Sequence, residues 1–227
     1  MKPYHVAIIP DGNRRWARKK GMEKKKGYEI GIRHIGDVLK WCRKSGVRML
    51  SMWGFSTENF NRPKDELDAL FGLFASNLTR ILQEGDDSYR KYKVRVRFIG
   101  RKDYFPKDVR QKLWEVERKT EKNNRYFLNI FLGYGGRQEI LDAANAAIKA
   151  GRRLNEEGFE KLLYTASIPA PDIIIRTSGE QRLSGFLPWQ AAYSELYFCK
   201  KLWPDFSRRD FEAALKEYAR RKRRYGK

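Results

Sequence analysis

Asp11 stands directly after the apolar run Val6-Ala7-Ile8-Ile9 and Pro10, and is followed by Gly12, Asn13, Arg14, Arg15 and Trp16. A carboxylate in that position is either a helix N-cap or an oxygen ligand for a hard cation facing phosphate. Three more polar clusters follow short apolar runs in the same way. They are Ser56-Thr57-Glu58-Asn59-Phe60-Asn61-Arg62-Pro63, then Tyr134-Gly135-Gly136-Arg137, then the stretch from Arg176-Thr177-Ser178-Gly179 through Arg182 to Ser184. Arg15, Arg62, Arg176 and Arg182 supply forked cationic donors, and Ser56 and Ser184 supply hydroxyls. Gly12, Gly136 and Gly179 let backbone amides come close. This is a composition suited to phosphate oxygens. A single arginine after a strand is commonly a surface ion pair; four, with glycines and hydroxyls at equivalent positions, point to phosphate.

Two familiar phosphate signatures are missing. There is no G-x-x-x-x-G-K-[ST] loop, and Gly133-Tyr134-Gly135 has Gln138 where a dinucleotide fingerprint needs its third glycine. His5 falls near the start of a predicted strand and His34 within a predicted helix, so they form no metal pair and zinc chemistry is not indicated.

The elements that must hold these clusters alternate. Residues 6–9, 47–55, 94–99, 127–132 and 172–175 read as strands. Between and after them, Ile35, Val38, Leu39 and Cys42, then Leu67, Leu70, Phe71 and Phe74, then Phe211, Ala214, Leu215 and Tyr218 recur at helical spacing. The alternation predicts an α/β fold with a mainly parallel central sheet flanked by helices. Ligands of open parallel sheets lie outside the carboxyl ends of the strands, so the clusters should converge on one crevice.

No repeat, linker or composition break divides the 227 residues, and 1–227 reads as a single catalytic domain. The polar stretch 83–92 reads as a mobile loop, and 220–224 as a strongly basic helix end. A formal charge of +21 should gather phosphates, nucleic acid or anionic lipid. Charge alone does not choose among these, but no RNA-binding motif accompanies it, so no specific nucleic-acid partner is expected. Cys42 and Cys199 sit in apolar runs and read as buried thiols, which suits a reducing cytoplasm. No stretch approaches a membrane span or a signal peptide, so membrane contact should be peripheral at most.

At these clusters the sequence closely resembles the cis-prenyltransferase family, which includes undecaprenyl and dehydrodolichyl diphosphate synthases. The resemblance runs from HVAIIPDGNRRWA through GFSTENFNRP, LNIFLGYGGR and DIIIRTSGEQRLSGFLPWQAAYSELYF to LWPDF and RRYG, nearly the whole chain. It implies an enzyme that condenses isopentenyl diphosphate with an allylic prenyl diphosphate to leave a Z double bond. Mg²⁺ is the implied cofactor, a hydrophobic tunnel the implied home of the product, and a homodimer the implied assembly. By resemblance Asp11 is the metal-linked carboxylate, joined by Glu195. Gly12, Asn13 and Arg15 cradle the allylic diphosphate with help from Arg62, with Arg14, Trp16, Lys24, Tyr28 and Phe60 also on the substrate side. Ser56, Asn59, Arg176, Arg182 and Ser184 serve isopentenyl diphosphate or catalysis. Arg224 and Gly226 form the terminal R-x-G element that reaches a diphosphate site across the dimer.

Departures from the family pattern bear on specificity. Tyr28 stands where histidine is common, Lys24 where arginine is common, and Gln181 where histidine is frequent. Phe131-Leu132-Gly133 replaces a smaller Ala-Ala-Asn run. Some of Leu67, Leu70, Phe71 and Phe74, together with Phe131, are expected to limit product length, so that Phe71→Ala, Phe74→Ala or Phe131→Ala should lengthen the product in at least one case. Transfer to an unusual carbon or oxygen acceptor is the principal alternative, because the allylic half of the reaction would be unchanged. A noncatalytic partner subunit is disfavoured by the intact Asp11 and Arg15.

Overall fold

The computed structural model describes residues 2–83 and 87–221. Six strands, β1 (His5–Ile9), β2 (Met49–Ser56), β3 (Val94–Ile99), β4 (Tyr126–Tyr134), β5 (Ile173–Arg176) and β6 (Glu195–Phe198), form one sheet in the order β3-β4-β2-β1-β5-β6. Every pairing is parallel. The helices are α1 (Asn13–Lys19), α2 (Lys24–Ser45), α3 (Lys64–Gln83), α4 (Asp87–Lys91), α5 (Lys107–Thr120), α6 (Gly136–Lys149), α7 (Glu156–Glu160) and α8 (Arg208–Arg220).

Strand alternation divides the interior into two. Val6 and Ile8 of β1, with Leu50 and Met52 of β2, face a large cluster built with α2, α3, α5 and α8. Ala7 and Ile9 face a smaller cluster that includes Phe131, Tyr134, Ile174, Phe186 and Leu187. All five residues of β1 are buried, as expected for a central parallel strand covered on both faces. The predicted helical stripes are the buried faces: Val38, Leu39 and Cys42 of α2, and Phe211, Ala214 and Tyr218 of α8. Cys42 and Cys199 are both buried free thiols.

The edge strand β3 is covered rather than open. Thr120 Oγ1 accepts from the Val96 amide at 3.1 Å and Glu117 Oε1 from the Phe98 amide at 2.7 Å, so α5 side chains satisfy amides that would otherwise invite another strand.

Three sequence expectations change. β6 is a sixth strand: its four residues are only half-buried at the sheet edge, so they lack the continuous apolar signature of β1. Of the segment 83–92, expected as a loop, residues 84–86 lie outside the described residues, while Asp87–Lys91 form α4, and Tyr89 and Tyr92 pack against the core, Tyr92 beneath the Arg43 guanidinium at 3.3 Å. Phe131 lies in the smaller cluster, on the opposite face of the sheet from its neighbours Ile130 and Leu132.

A cavity of about 580 Å³ lies on the larger-cluster side, with Leu70, Phe74, Leu78, Leu128, Ile130 and Leu132 among its apolar walls. Phe74 therefore contributes to the cavity, whereas Phe71 and Phe131 are absent from its lining.

Candidate active site

Each strand-end cluster is placed by a local necessity of the chain. Gly12 takes φ +111°, and a Cβ there would lie 2.8 Å from Leu202, so only glycine turns the chain from β1 into α1. Thr177, just after β5, fixes the other side: its amide donates to the Ile9 carbonyl at 3.2 Å and its hydroxyl to the Asp11 carbonyl at 2.7 Å. Thr177 belongs to the cluster read from the sequence, but its role there is structural, because its hydroxyl serves backbone carbonyls.

Asp11 is held between two arginines. Arg176 Nη2 donates to Asp11 Oδ2 at 2.8 Å, and Arg15 approaches Oδ1 at 3.5 Å. Burial pushes the carboxyl upward, but hydrogen bonding and charge from Arg176, aided by Ser178 and Arg15, outweigh it and hold Asp11 below the ordinary carboxylate range. Arg176 Nη1 donates to the Arg182 carbonyl at 2.5 Å and to Ser184 Oγ at 2.8 Å. Its Nε is buried with no partner, and Asn13 Oδ1 is likewise buried and unpaired. Arg182 itself reaches outward to Glu180 at 2.5 Å.

A second basic cluster surrounds Glu66. Arg62 Nη1 donates to Tyr28 Oη at 2.8 Å and to Glu66 at 3.1 Å, and Tyr28 donates to Glu66 at 3.0 Å. Arg14 and Lys24 stand 4.0 and 3.9 Å from the same carboxylate. Burial pushes the Tyr28 hydroxyl up to about 12, so it stays protonated. Glu66 was missed in sequence, although its place four residues after Arg62 is the helical ion-pair spacing.

Asp11, Asn13, Arg14, Tyr28, Arg62 and Arg176 all line the cavity, as do Ser56 and Asn59. Asn59 Oδ1 accepts from the Ser56 amide at 3.1 Å, closing the turn after β2. Phe60 packs edge-to-face on Phe55, with ring centres 4.8 Å apart. Trp16 donates its indole N–H to Asp205 at 2.7 Å, so in this arrangement it buttresses α1. Glu195 does not join the cluster within one chain. It pairs in register with Ile173, three residues before Arg176, roughly 10 Å back along the sheet, and takes an ion pair from Arg221 at 2.7 Å. Arg224 and Gly226 lie outside the described residues.

The arrangement fits Mg²⁺ by the chemistry of its donors. That ion is usually held by one or two carboxylates together with substrate phosphates, rather than by an all-protein cage, and Asp11 is a partly exposed, ionised carboxylate. Among the described residues no group of three or more His, Cys, Asp or Glu side chains gathers as an independent metal site. A wider groove of about 820 Å³ along β3, lined by Arg95, Arg97 and Trp114 among others, contains none of the strand-end motif residues.

Comparison with known proteins agrees with this geometry. Residues 9–226 match the family model described as "Putative undecaprenyl diphosphate synthase". An isoprenyl transferase of Thermotoga maritima is 48% identical over 99% of this chain and 97% of its own. A tritrans,polycis-undecaprenyl-diphosphate synthase (geranylgeranyl-diphosphate specific) of Methanocaldococcus jannaschii is 45% identical over 99% of this chain and 83% of its own. The crystal structure of lavandulyl diphosphate synthase from Lavandula x intermedia, in complex with dimethylallyl diphosphate, superposes with a TM-score of 0.92 at 33% identity, covering 100% of this chain and 99% of that one. The chain is a prenyltransferase and belongs to the undecaprenyl diphosphate synthase family.

Proposed function

We propose that this enzyme condenses isopentenyl diphosphate with an allylic prenyl diphosphate in a Mg²⁺-dependent reaction that leaves a Z double bond. The observation that carries the reading is the pairing of two cationic clusters with one apolar cavity. Arg14, Lys24, Arg62 and Tyr28 form the first, and Arg15, Arg176, Arg182 and Ser184 the second. Two diphosphates need two such clusters, and a growing isoprenoid chain needs a dry channel, because each buried methylene stabilises by about 0.8 kcal/mol.

In this reading the first cluster holds the allylic diphosphate and the second the isopentenyl diphosphate. Departure of the allylic diphosphate builds negative charge on its oxygens and cation character at carbon, and fixed guanidinium donors stabilise that change without reorganising. Asp11 would hold Mg²⁺, which adds positive charge beside the diphosphate. Asn59 and Ser56, which line the cavity, would orient the reacting end of isopentenyl diphosphate. Its double bond attacks, and loss of a proton completes the new alkene. Glu195 joins the metal site in this proposal only through a rearrangement or a partner subunit, given its present ion pair with Arg221.

A homodimer belongs to the same reading. Leu141 and Ile148 on α6, with Ile148 76% exposed, and Tyr193 beside the edge strand β6, 80% exposed, are exposed large apolar side chains that a second copy could cover. Arg224 and Gly226 would then reach the partner's diphosphate site. No helix among the described residues is long and apolar enough to cross a membrane. The charge of +21 favours peripheral contact with an anionic bilayer from a cytoplasmic location.

Likeness to lavandulyl diphosphate synthase supports a second reading, transfer to an unusual acceptor. One experiment tests both. Purified protein is incubated with Mg²⁺, labelled isopentenyl diphosphate and dimethylallyl, farnesyl or geranylgeranyl diphosphate. Product masses rising in five-carbon steps, dependent on both substrates, support condensation; a single adduct with different connectivity supports the second reading.

A further inference from the structure

Glu139, in the first turn of α6, has no solvent exposure and accepts four hydrogen bonds from neutral donors. Tyr134 donates its hydroxyl at 2.6 Å, Thr165 its amide at 3.1 Å and its hydroxyl at 3.0 Å, and Gln190 its side-chain amide at 3.1 Å. These partners come from the end of β4, the turn before β5 and the loop leading to β6. The proposed diphosphate chemistry assigns Glu139 no task, yet burying an acid is costly unless its surroundings are built to receive it.

The loop that Glu139 holds is the one that sets Arg176. Ser184 and Leu187 take φ +52° and +51°, left-handed conformations unusual for residues with a Cβ. Such strain persists only where surrounding contacts over-determine it. The first turn of α6 supplies them. The Gly136 amide donates to the Gly185 carbonyl at 2.9 Å, and a Cβ at Gly136 would lie 2.0 Å from Pro188. Phe186 is fully buried against Trp53, Phe131 and Tyr134. Glu139, through Gln190 and Tyr134, closes this frame. The same loop presents the Arg182 carbonyl and Ser184 hydroxyl to Arg176, whose other nitrogen meets Asp11.

We infer that Glu139 is a positioning residue for isopentenyl diphosphate, acting through the 182–190 loop on Ser184 and Arg176; this rests on the proposed function. A glutamine at 139 keeps the shape but turns an amide donor toward one of the donors that Glu139 now accepts, so the loop loses its register while the Arg62 cluster stays intact.

The test is steady-state kinetics of wild type, Glu139→Gln, Ser184→Ala and the double variant. Glu139→Gln should raise KM for isopentenyl diphosphate at least about tenfold, with KM for the allylic substrate changed less than about threefold. The double variant should lose markedly less kcat/KM than the product of the two single losses, because both disturb one contact set. If Glu139→Gln does not fold, Tyr134→Phe removes one of the four hydrogen bonds and enters the same cycle. Equal rises in both KM values, no rise, or multiplicative losses would overturn the inference while wild-type activity left the functional reading standing. Wild type that consumes no isopentenyl diphosphate would remove both.

Discussion

Arg176 binds Asp11 from below the protein surface: its side chain is 6% exposed, against 31% for Asp11, and the contact is 2.8 Å. The carboxylate is thus anchored by one oxygen from inside, and Asp11 lines the cavity. Asp11→Ala should keep the fold, checked by circular dichroism, and reduce turnover at saturating Mg²⁺ at least about 10²-fold, as expected for a principal electrostatic group. Arg176→Lys keeps the charge but loses the fork that reaches Asp11, Ser184 and the Arg182 carbonyl together. It should lower turnover by roughly tenfold or more. Near-native turnover in Asp11→Ala would remove Asp11 from the chemistry.

Product length should follow the cavity rather than the aromatic residues as a class. Phe74 lines the cavity, so Phe74→Ala should lengthen the product, read by mass. Phe131 is fully buried on the other face of the sheet. Phe131→Ala should leave chain length unchanged and instead destabilise by about 3 to 5 kcal/mol in urea unfolding. A longer product from Phe131→Ala would show that the two faces communicate.

Tyr28 tests the first cationic cluster. Its hydroxyl accepts from Arg62 and donates to Glu66, so Tyr28→Phe releases Arg62 from one of its two tethers. Loss of a hydrogen bond to a charged group, about 1.5 kcal/mol or more, should raise KM for the allylic diphosphate roughly tenfold and leave KM for isopentenyl diphosphate nearly unchanged. A change confined to isopentenyl diphosphate would reverse the assignment of the two clusters.

Much of this site could be read before any coordinates, and the reasons differ by residue. Gly12, Arg62 and Arg176 were legible because they belong to clusters of glycine, hydroxyl and arginine residues at the carboxyl ends of apolar strands. β1 and the stripes of α2 and α8 were legible because their burial follows simple periods. The position of Phe131 does not follow from its size: two-residue alternation sends it to the face of the sheet opposite Ile130 and away from the cavity lining. β6 was missed because a half-buried edge strand of four residues carries little pattern. Glu66 and Glu139 each have one partner close in sequence, Arg62 and Tyr134, but their full settings depend on distant ones, Tyr28 for the first and Thr165 and Gln190 for the second, which no local pattern shows.

His5 gives a pH dependence independent of catalysis. It is buried, with Nε2 against Ser51 at 2.8 Å and Nδ1 against the Pro169 carbonyl at 2.7 Å, and burial lowers its pKa to about 4. Because the folded value lies below the unfolded value, the unfolded chain takes up the proton first. Stability is therefore full above about pH 6.5 and falls as pH drops toward 4. The loss from this group should be about 2 to 3 kcal/mol by pH 4.5. Urea midpoints at pH 7.5 and 4.5 measure it, and His5→Gln should remove that part of the slope. An equal slope in the variant would place the acid sensitivity elsewhere.

The most direct measurement is the geometry of the double bonds made by the purified protein from isopentenyl diphosphate and an allylic diphosphate, read by NMR of the dephosphorylated product with and without Mg²⁺. Each added unit should carry a Z double bond, and chelation of the metal should abolish product. Newly formed E double bonds, or undiminished product after chelation, would contradict the proposed reaction.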